Sequence, residues 1–109
     1  MTSVYYHDGK VEQRLIMSGH AGNELVCATI GGIAQTLMEN MYLEEQAGQV
    51  RAEAEMETPG EIYLVVQPKA ESMETIRRMF RFTVNGLKMV AEEYPDNIEI
   101  KEENWNGIV

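Results

Sequence analysis

Ser18-Gly19-His20-Ala21-Gly22-Asn23-Glu24-Leu25-Val26-Cys27-Ala28 is where the apolar period of this chain changes. Upstream, Val11, Gln13, Leu15 and Met17 alternate with Glu12, Arg14 and Ile16, the two-residue period of a strand. Downstream, Cys27, Ile30, Ala34, Leu37, Met38 and Met41 recur in steps of three and four, with Ile33 beside them. That stripe predicts an amphipathic helix from about Asn23 to about Glu45. Asn23 suits the N-cap, because its side-chain oxygen can accept from the first unpaired amides. Glu24 suits the positive end of the helix dipole. Gly31 and Gly32 are poor interior helix residues, so the sequence predicts a close approach to the backbone there.

Outward from this junction the same arithmetic fills the chain. Ser3–His7 is rich in strand formers, and Asp8-Gly9 predicts a turn that folds it onto the next strand as a hairpin. Gly48 closes the first helix. Val50, Ala52, Ala54 and Met56 then alternate with Arg51, Glu53, Glu55 and Glu57, which predicts a strand with one buried and one solvated acidic face. Thr58-Pro59-Gly60-Glu61 fits a type II turn, and Ile62–Val66 a well-buried strand. A second helix runs from about Ala70 or Ser72 to Glu93, with Ile76, Met79, Phe80, Val84, Leu87, Val90, Ala91 and Tyr94 on its core stripe. It carries Arg77, Arg78, Arg81 and Lys88, and Pro95 stops it. Asn97–Lys101 reads as a last strand, whereas 102–109 has no assignable pattern. The order is β-β-α-β-β-α-β. It implies an α+β fold, a two-layer sandwich with two helices packed on a roughly five-stranded sheet. Strand order does not follow from periodicity.

At 109 residues the chain fits a single domain, 1–109, since two would each be short of core. Its formal net charge of −9 disfavours phosphate backbones and anionic lipid, so neither nucleic acid nor membrane is expected as a partner. A basic or neutral partner fits better. One cysteine excludes an internal disulfide and a multi-thiolate zinc site, and it suits a reducing compartment. No apolar run approaches the roughly 20 residues of a membrane span, and residues 1–6 lack the pattern of a secretion signal. A cytoplasmic location is the expectation, with no cofactor and no metal.

Reactive groups are few. His20 falls in the loop and Cys27 in the first turns of the helix, with six residues between them. A bend can bring the imidazole to the sulfur. A helix N-terminus and an adjacent imidazolium both favour thiolate, and unpaired amides there can hold an oxyanion. The plainer alternative is that Cys27, on an apolar stripe, is an inert core thiol and His20 a loop residue. His7, beside the hairpin turn, reads as a surface residue. The acidic row Glu53, Glu55 and Glu57 reads as a solvated face that could receive a basic partner, and the methionines read as packing.

Gly19-His20-Ala21 followed by Val26-Cys27-Ala28 at a helix start resembles the ribosomal-processing cysteine protease family, Prp. Ile33-Ala34-Gln35-Thr36-Leu37 resembles that family's helix after the cysteine. Phe80 through Tyr94-Pro95, with Asn85-Gly86-Leu87, resembles its second helix and exit. The resemblance implies a small cytoplasmic cysteine protease, usually a homodimer. Such enzymes remove an N-terminal extension from a large-subunit ribosomal protein, and phage relatives are tied to capsid or scaffold processing. Carried over, Cys27 is the nucleophile and His20 the base. Glu24 is a possible orienting group, standing where the family usually has aspartate. Gly19, Ala21, Gly22 and Asn23 form the substrate loop or oxyanion segment. The His–Cys connection is shorter than is common in the family, and Gly31 stands where a serine is frequent. A second class of function remains open: a catalytically inactive homodimeric interaction module on the same scaffold. A redox-sensing thiol is a third.

Overall fold

The computed structural model describes residues 1–58 and 61–105. Its elements are β1 (Thr2–Asp8), β2 (Gln13–Ser18), α1 (Glu24–Gln46), β3 (Val50–Thr58), β4 (Glu61–Pro68), α2 (Met73–Glu93) and β5 (Ile98–Asn104). A 3-10 turn, Ala70–Ser72, leads into α2. This is the expected order, and the fold is α+β, two helices on one five-stranded mixed sheet. Across the sheet the strands run β3-β4-β2-β1-β5, with β1 and β5 parallel and the other neighbours antiparallel.

Two crossovers produce that order. Helix α1 carries the chain from β2 over β4 to β3, and α2 carries it from β4 over β2 and β1 to β5. The crossovers start from antiparallel strands and travel in opposite directions. With the usual right-handed connection, both helices therefore land on the same face of the sheet. Between the layers lie Val4, Tyr6, Leu15, Met17, Leu64 and Val66 from the strands, and Ile30, Met41, Ile76, Phe80, Val84 and Leu87 from the helices. Among the described residues, no helix is long and apolar enough to cross a membrane.

At one end of the core a polar network replaces apolar packing. The buried Tyr6 hydroxyl donates to Gln13, and Gln13 Nε2 donates to Asp8 Oδ1 at 2.7 Å. Arg77 Nε and Arg81 Nη2 each reach the Asp8 carboxylate at 2.9 Å. Arg81 and Lys88 also pair with Glu102 on β5, at 3.2 and 2.7 Å. The positive charge of α2 thus fastens that helix to β1 and β5. Asp8 opposes Gln13 while Ser3 opposes Ser18, so this lock lies at the far end of β1 and β2 from the Ser18–Asn23 connection.

Several local expectations are corrected. The first hairpin closes through residues 9–12, with Gly9 N–H donating to Glu12 O at 2.9 Å. Gly9 does not adopt positive φ, and Val11 is 68% exposed in that loop rather than on the strand face. In β3 only Val50 is buried and Ala52 half-buried; Ala54 and Met56 are exposed. The edge strand β3 is uncovered beyond Ala52, whereas its partner Ile62 on β4 stays buried. The last strand runs on through Glu102–Asn104, where no pattern was assignable. His7 is half-buried, its Nδ1 enclosed 3.6 Å from the Glu103 carboxylate. Gly32 has nothing within 4 Å of a built Cβ, and Gly31 only Gln35 Nε2 at 3.5 Å, so no close approach explains the pair. Met1, Met56 and Met89 are exposed rather than packed. The Pro59-Gly60 turn and residues 106–109 lie outside the described residues.

Candidate active site

The chain leaves β2 at Ser18 and must reverse within a few residues to enter α1. Two glycines make the reversal. Gly19 has φ +89°, and a Cβ there would stand 2.4 Å from Met1 O. Gly22 has φ +76°. Both conformations are strained for side chains with a Cβ. Between them Ala21 is buried, and its carbonyl accepts from Asn97 Nδ2 at 2.6 Å. Asn97 is itself tied at both backbone groups: its N–H donates to Tyr94 O at 3.0 Å, and its C=O accepts from Thr2 N–H at 2.9 Å. The connection is therefore anchored at its centre to the α2–β5 junction.

Asn23 ends the loop as the expected N-cap. Its Oδ1 accepts from Leu25 N–H at 2.9 Å and Val26 N–H at 3.2 Å, while Cys27 N–H donates to Asn23 O at 2.9 Å. Those three amides are spent. Among the described residues, the N–H groups of Gly22, Asn23 and Glu24 have no hydrogen-bond partner. They are the free donors at the positive end of α1, where a developing negative charge is favoured.

The helix is rotated slightly from the sequence reading. Val26, not Cys27, takes the fully buried position of the first turn. Cys27 is half-buried at the margin of the core, packed against it but open on one side. That open side is a hollow of about 490 Å³, lined by His20, Gly22, Asn23, Glu24, Cys27, Ala28, Gly31 and Gln35. Such a volume suits a side chain or a short peptide segment. Gly31 leaves its floor without a side chain, and Gln35 offers an amide one turn further on.

The loop and α1 thus bring His20, Gly22, Asn23, Glu24 and Cys27 to one hollow. Gly19 and Ala21 do not line it; they shape the loop from below. His20 is exposed. No hydrogen bond joins it to Cys27 or to Glu24 among the described residues. Glu24 is exposed on the first turn. Other hollows of similar size lie between the helices, about 440 and 480 Å³, but neither is lined by a thiol or an imidazole. Among the described residues, no group of three or more His, Cys, Asp or Glu is placed to hold a metal ion. Asn97 and Gln35 are the contributors the sequence did not announce. Asn97 stands 76 positions from the carbonyl it holds, and no local pattern marks such a contact.

Comparison with known proteins places the chain in a family and matches its fold. The family model for cysteine protease Prp matches residues 1–99. The ribosomal processing protease Prp from Staphylococcus aureus, solved with a covalently linked product peptide, superposes with a TM-score of 0.69 at 17% identity. The match covers 94% of this chain and 100% of that one. The same protease with a substrate peptide gives a TM-score of 0.66 at 13% identity, with the same coverage. A Streptococcus mutans protein gives 0.65 at 22%, covering 95% of both chains. No curated protein sequence matches the chain.

Proposed function

The chain belongs to the cysteine protease Prp family, and on that premise we propose that it is a cysteine endopeptidase with Cys27 as nucleophile and His20 as general base. The observation that carries the proposal is the single hollow shared by His20, Cys27 and the free amides at the start of α1. The sulfur sits at the positive end of a helix, open on one side, where thiolate is favoured.

The chemistry proceeds in two steps. His20 takes the thiol proton, and the Cys27 thiolate attacks the scissile carbonyl carbon. The tetrahedral oxyanion is held by amides from the Gly22–Glu24 segment. The carbon–nitrogen bond breaks, the amine leaves with the proton from His20, and a thioester remains on Cys27. His20 then draws a proton from water, the resulting hydroxide attacks the thioester, and the Cys27 sulfur leaves as the acid product forms. Glu24 biases the helix start and, with substrate bound, orients His20. Gly19 and Ala21 hold the loop in shape. No cofactor or metal enters the scheme.

The substrate proposed is a basic protein: the N-terminal extension of a large-subunit ribosomal protein or, for a phage-related chain, a capsid or scaffold protein. A net charge of −9 favours encounter with such a partner. A single cytoplasmic domain acting as a homodimer completes the reading. The test is incubation of reduced protein with the extension peptide of the host's ribosomal protein, followed by mass spectrometry. A defined cut is expected. The absence of a His20–Cys27 hydrogen bond favours one second reading, an interaction module that binds without cutting. A bound but uncut peptide is the result that would establish it.

A further inference from the structure

Strand β3 forms one edge of the sheet, paired only with β4. In an antiparallel ladder, every second residue turns both of its backbone groups away from the partner strand. Ala52 is one of these, because its N–H is taken from outside the sheet by Glu45 Oε2 at 2.9 Å. By the same period Ala54 and Met56 also face outward, and beyond the reach of Glu45 their amides meet only solvent. Natural proteins normally shield an edge like this one. Here the outer strand keeps a regular register up to the irregularity at Met56–Thr58, and from Glu53 onward it is exposed on both faces.

Its side chains separate by face. Ala54 and Met56 stand on the helix side with no helix above them. Glu53, Glu55 and Glu57 stand on the other, and none of them has an ion-pair partner among the described residues. The row runs to the end of the sheet from which the Ser18–Asn23 loop departs. Met56 opposes Ile62 and Ile62 opposes Met17, one residue before the Ser18–Asn23 loop departs. Ser18, Glu55, Glu57 and Glu61 line one cleft of about 240 Å³.

We infer that the β3 edge is the docking strand for the substrate: it takes an extended peptide by strand addition, with Lys or Arg at alternate positions against Glu53, Glu55 and Glu57 and apolar residues over Ala54 and Met56. Main-chain hydrogen bonds supply the affinity and the alternating faces the selectivity. Arg51 stands on the same face, so a second copy of this chain on the edge is disfavoured in registers that set glutamate against glutamate, and the test reads the oligomeric state directly. The inference rests on the peptidase reading only in calling the guest a substrate. Binding to the edge does not require turnover.

The test therefore uses the intact Cys27→Ala protein. Fluorescence anisotropy compares a labelled peptide alternating lysine and valine with one alternating glutamate and valine, and with the lysine peptide methylated on alternate backbone nitrogens. The lysine peptide is expected to bind about tenfold more tightly than either control. Its affinity should fall with added salt and in the Glu53→Gln/Glu55→Gln protein. Ala54→Pro removes one edge amide and should weaken binding as methylation does, but the methylated peptide makes the same test without altering the protein. Equal binding of the acidic and basic peptides, no effect of methylation, or a dimer joined through β3 that excludes peptide would each overturn the inference. Cutting by the wild type with equal binding of all three peptides leaves the peptidase standing and removes the edge. The predicted binding order without any cutting does the reverse.

Discussion

The loop that brings His20 to the hollow beside Cys27 is tied down. Gly19 and Gly22 take backbone angles that favour glycine, and Asn97 grips the carbonyl between them. If His20 is the base, His20→Ala lowers kcat by about a hundredfold to ten-thousandfold, read in a peptide-cleavage assay. Asn97→Ala removes a donor to a buried residue and should destabilise the fold by about 1–2 kcal/mol. A role confined to stability would leave kcat intact in the folded fraction. As a positioning residue, Asn97 predicts a lower kcat with KM little changed, and the same loss in Asn97→Asp, which also lacks the donor. The Gly-His and Cys positions were legible in the sequence because they fall where one period gives way to another. Asn97 was not, because its meaning depends on a contact across most of the chain.

Helix α1 was legible as an element but not in its rotation. Val26 and Cys27 are neighbours, and a helical stripe wide enough to cover a core admits either. The structure buries Val26 and leaves Cys27 half-buried at the margin, packed against the core on one side and open to the hollow on the other. Asn23 fixes the start of the helix, and Asn23→Ala should cost about 1 kcal/mol of stability, measured by urea denaturation. The same change leaves the Leu25 and Val26 amides without their side-chain acceptor. Strand β3 shows the opposite limit. Its alternation looked half-buried, because periodicity reports which residues share a face and not whether a layer covers that face. Beyond Ala52 none does.

The whole molecule is held at the end away from the hollow by an ionic lock, and this sets its response to acid. Burial pushes the Asp8 carboxyl up, but hydrogen bonds from Gln13, Arg77 and Arg81 outweigh it and hold it below the usual carboxylate range. A carboxyl depressed in the folded state contributes stability above its unfolded pKa of about 3.9. That stability is lost as pH falls through the lower, folded value. Asp8→Asn should therefore destabilise the protein at neutral pH by about 2 kcal/mol, short of a fully buried pair because both arginines keep some solvent contact. Thermal midpoints measured from pH 7 down to about 2 should converge with the wild type at the acid end. The lock itself was half legible: the sequence showed the positive charge gathered on the second helix, but not its partner on the first strand. Strand order was hidden for a related reason, since alternation does not encode neighbours and the two crossovers do.

The central claim is that Cys27 is the nucleophile, and a covalent intermediate tests it most directly. Wild-type protein turning over the extension peptide is quenched in acid and its intact mass recorded, with Cys27→Ala alongside. The account predicts a wild-type species heavier by the N-terminal fragment of the peptide, attached through Cys27, and neither adduct nor cut product in Cys27→Ala. Cut product appearing equally in both proteins, with no adduct in either, would contradict it.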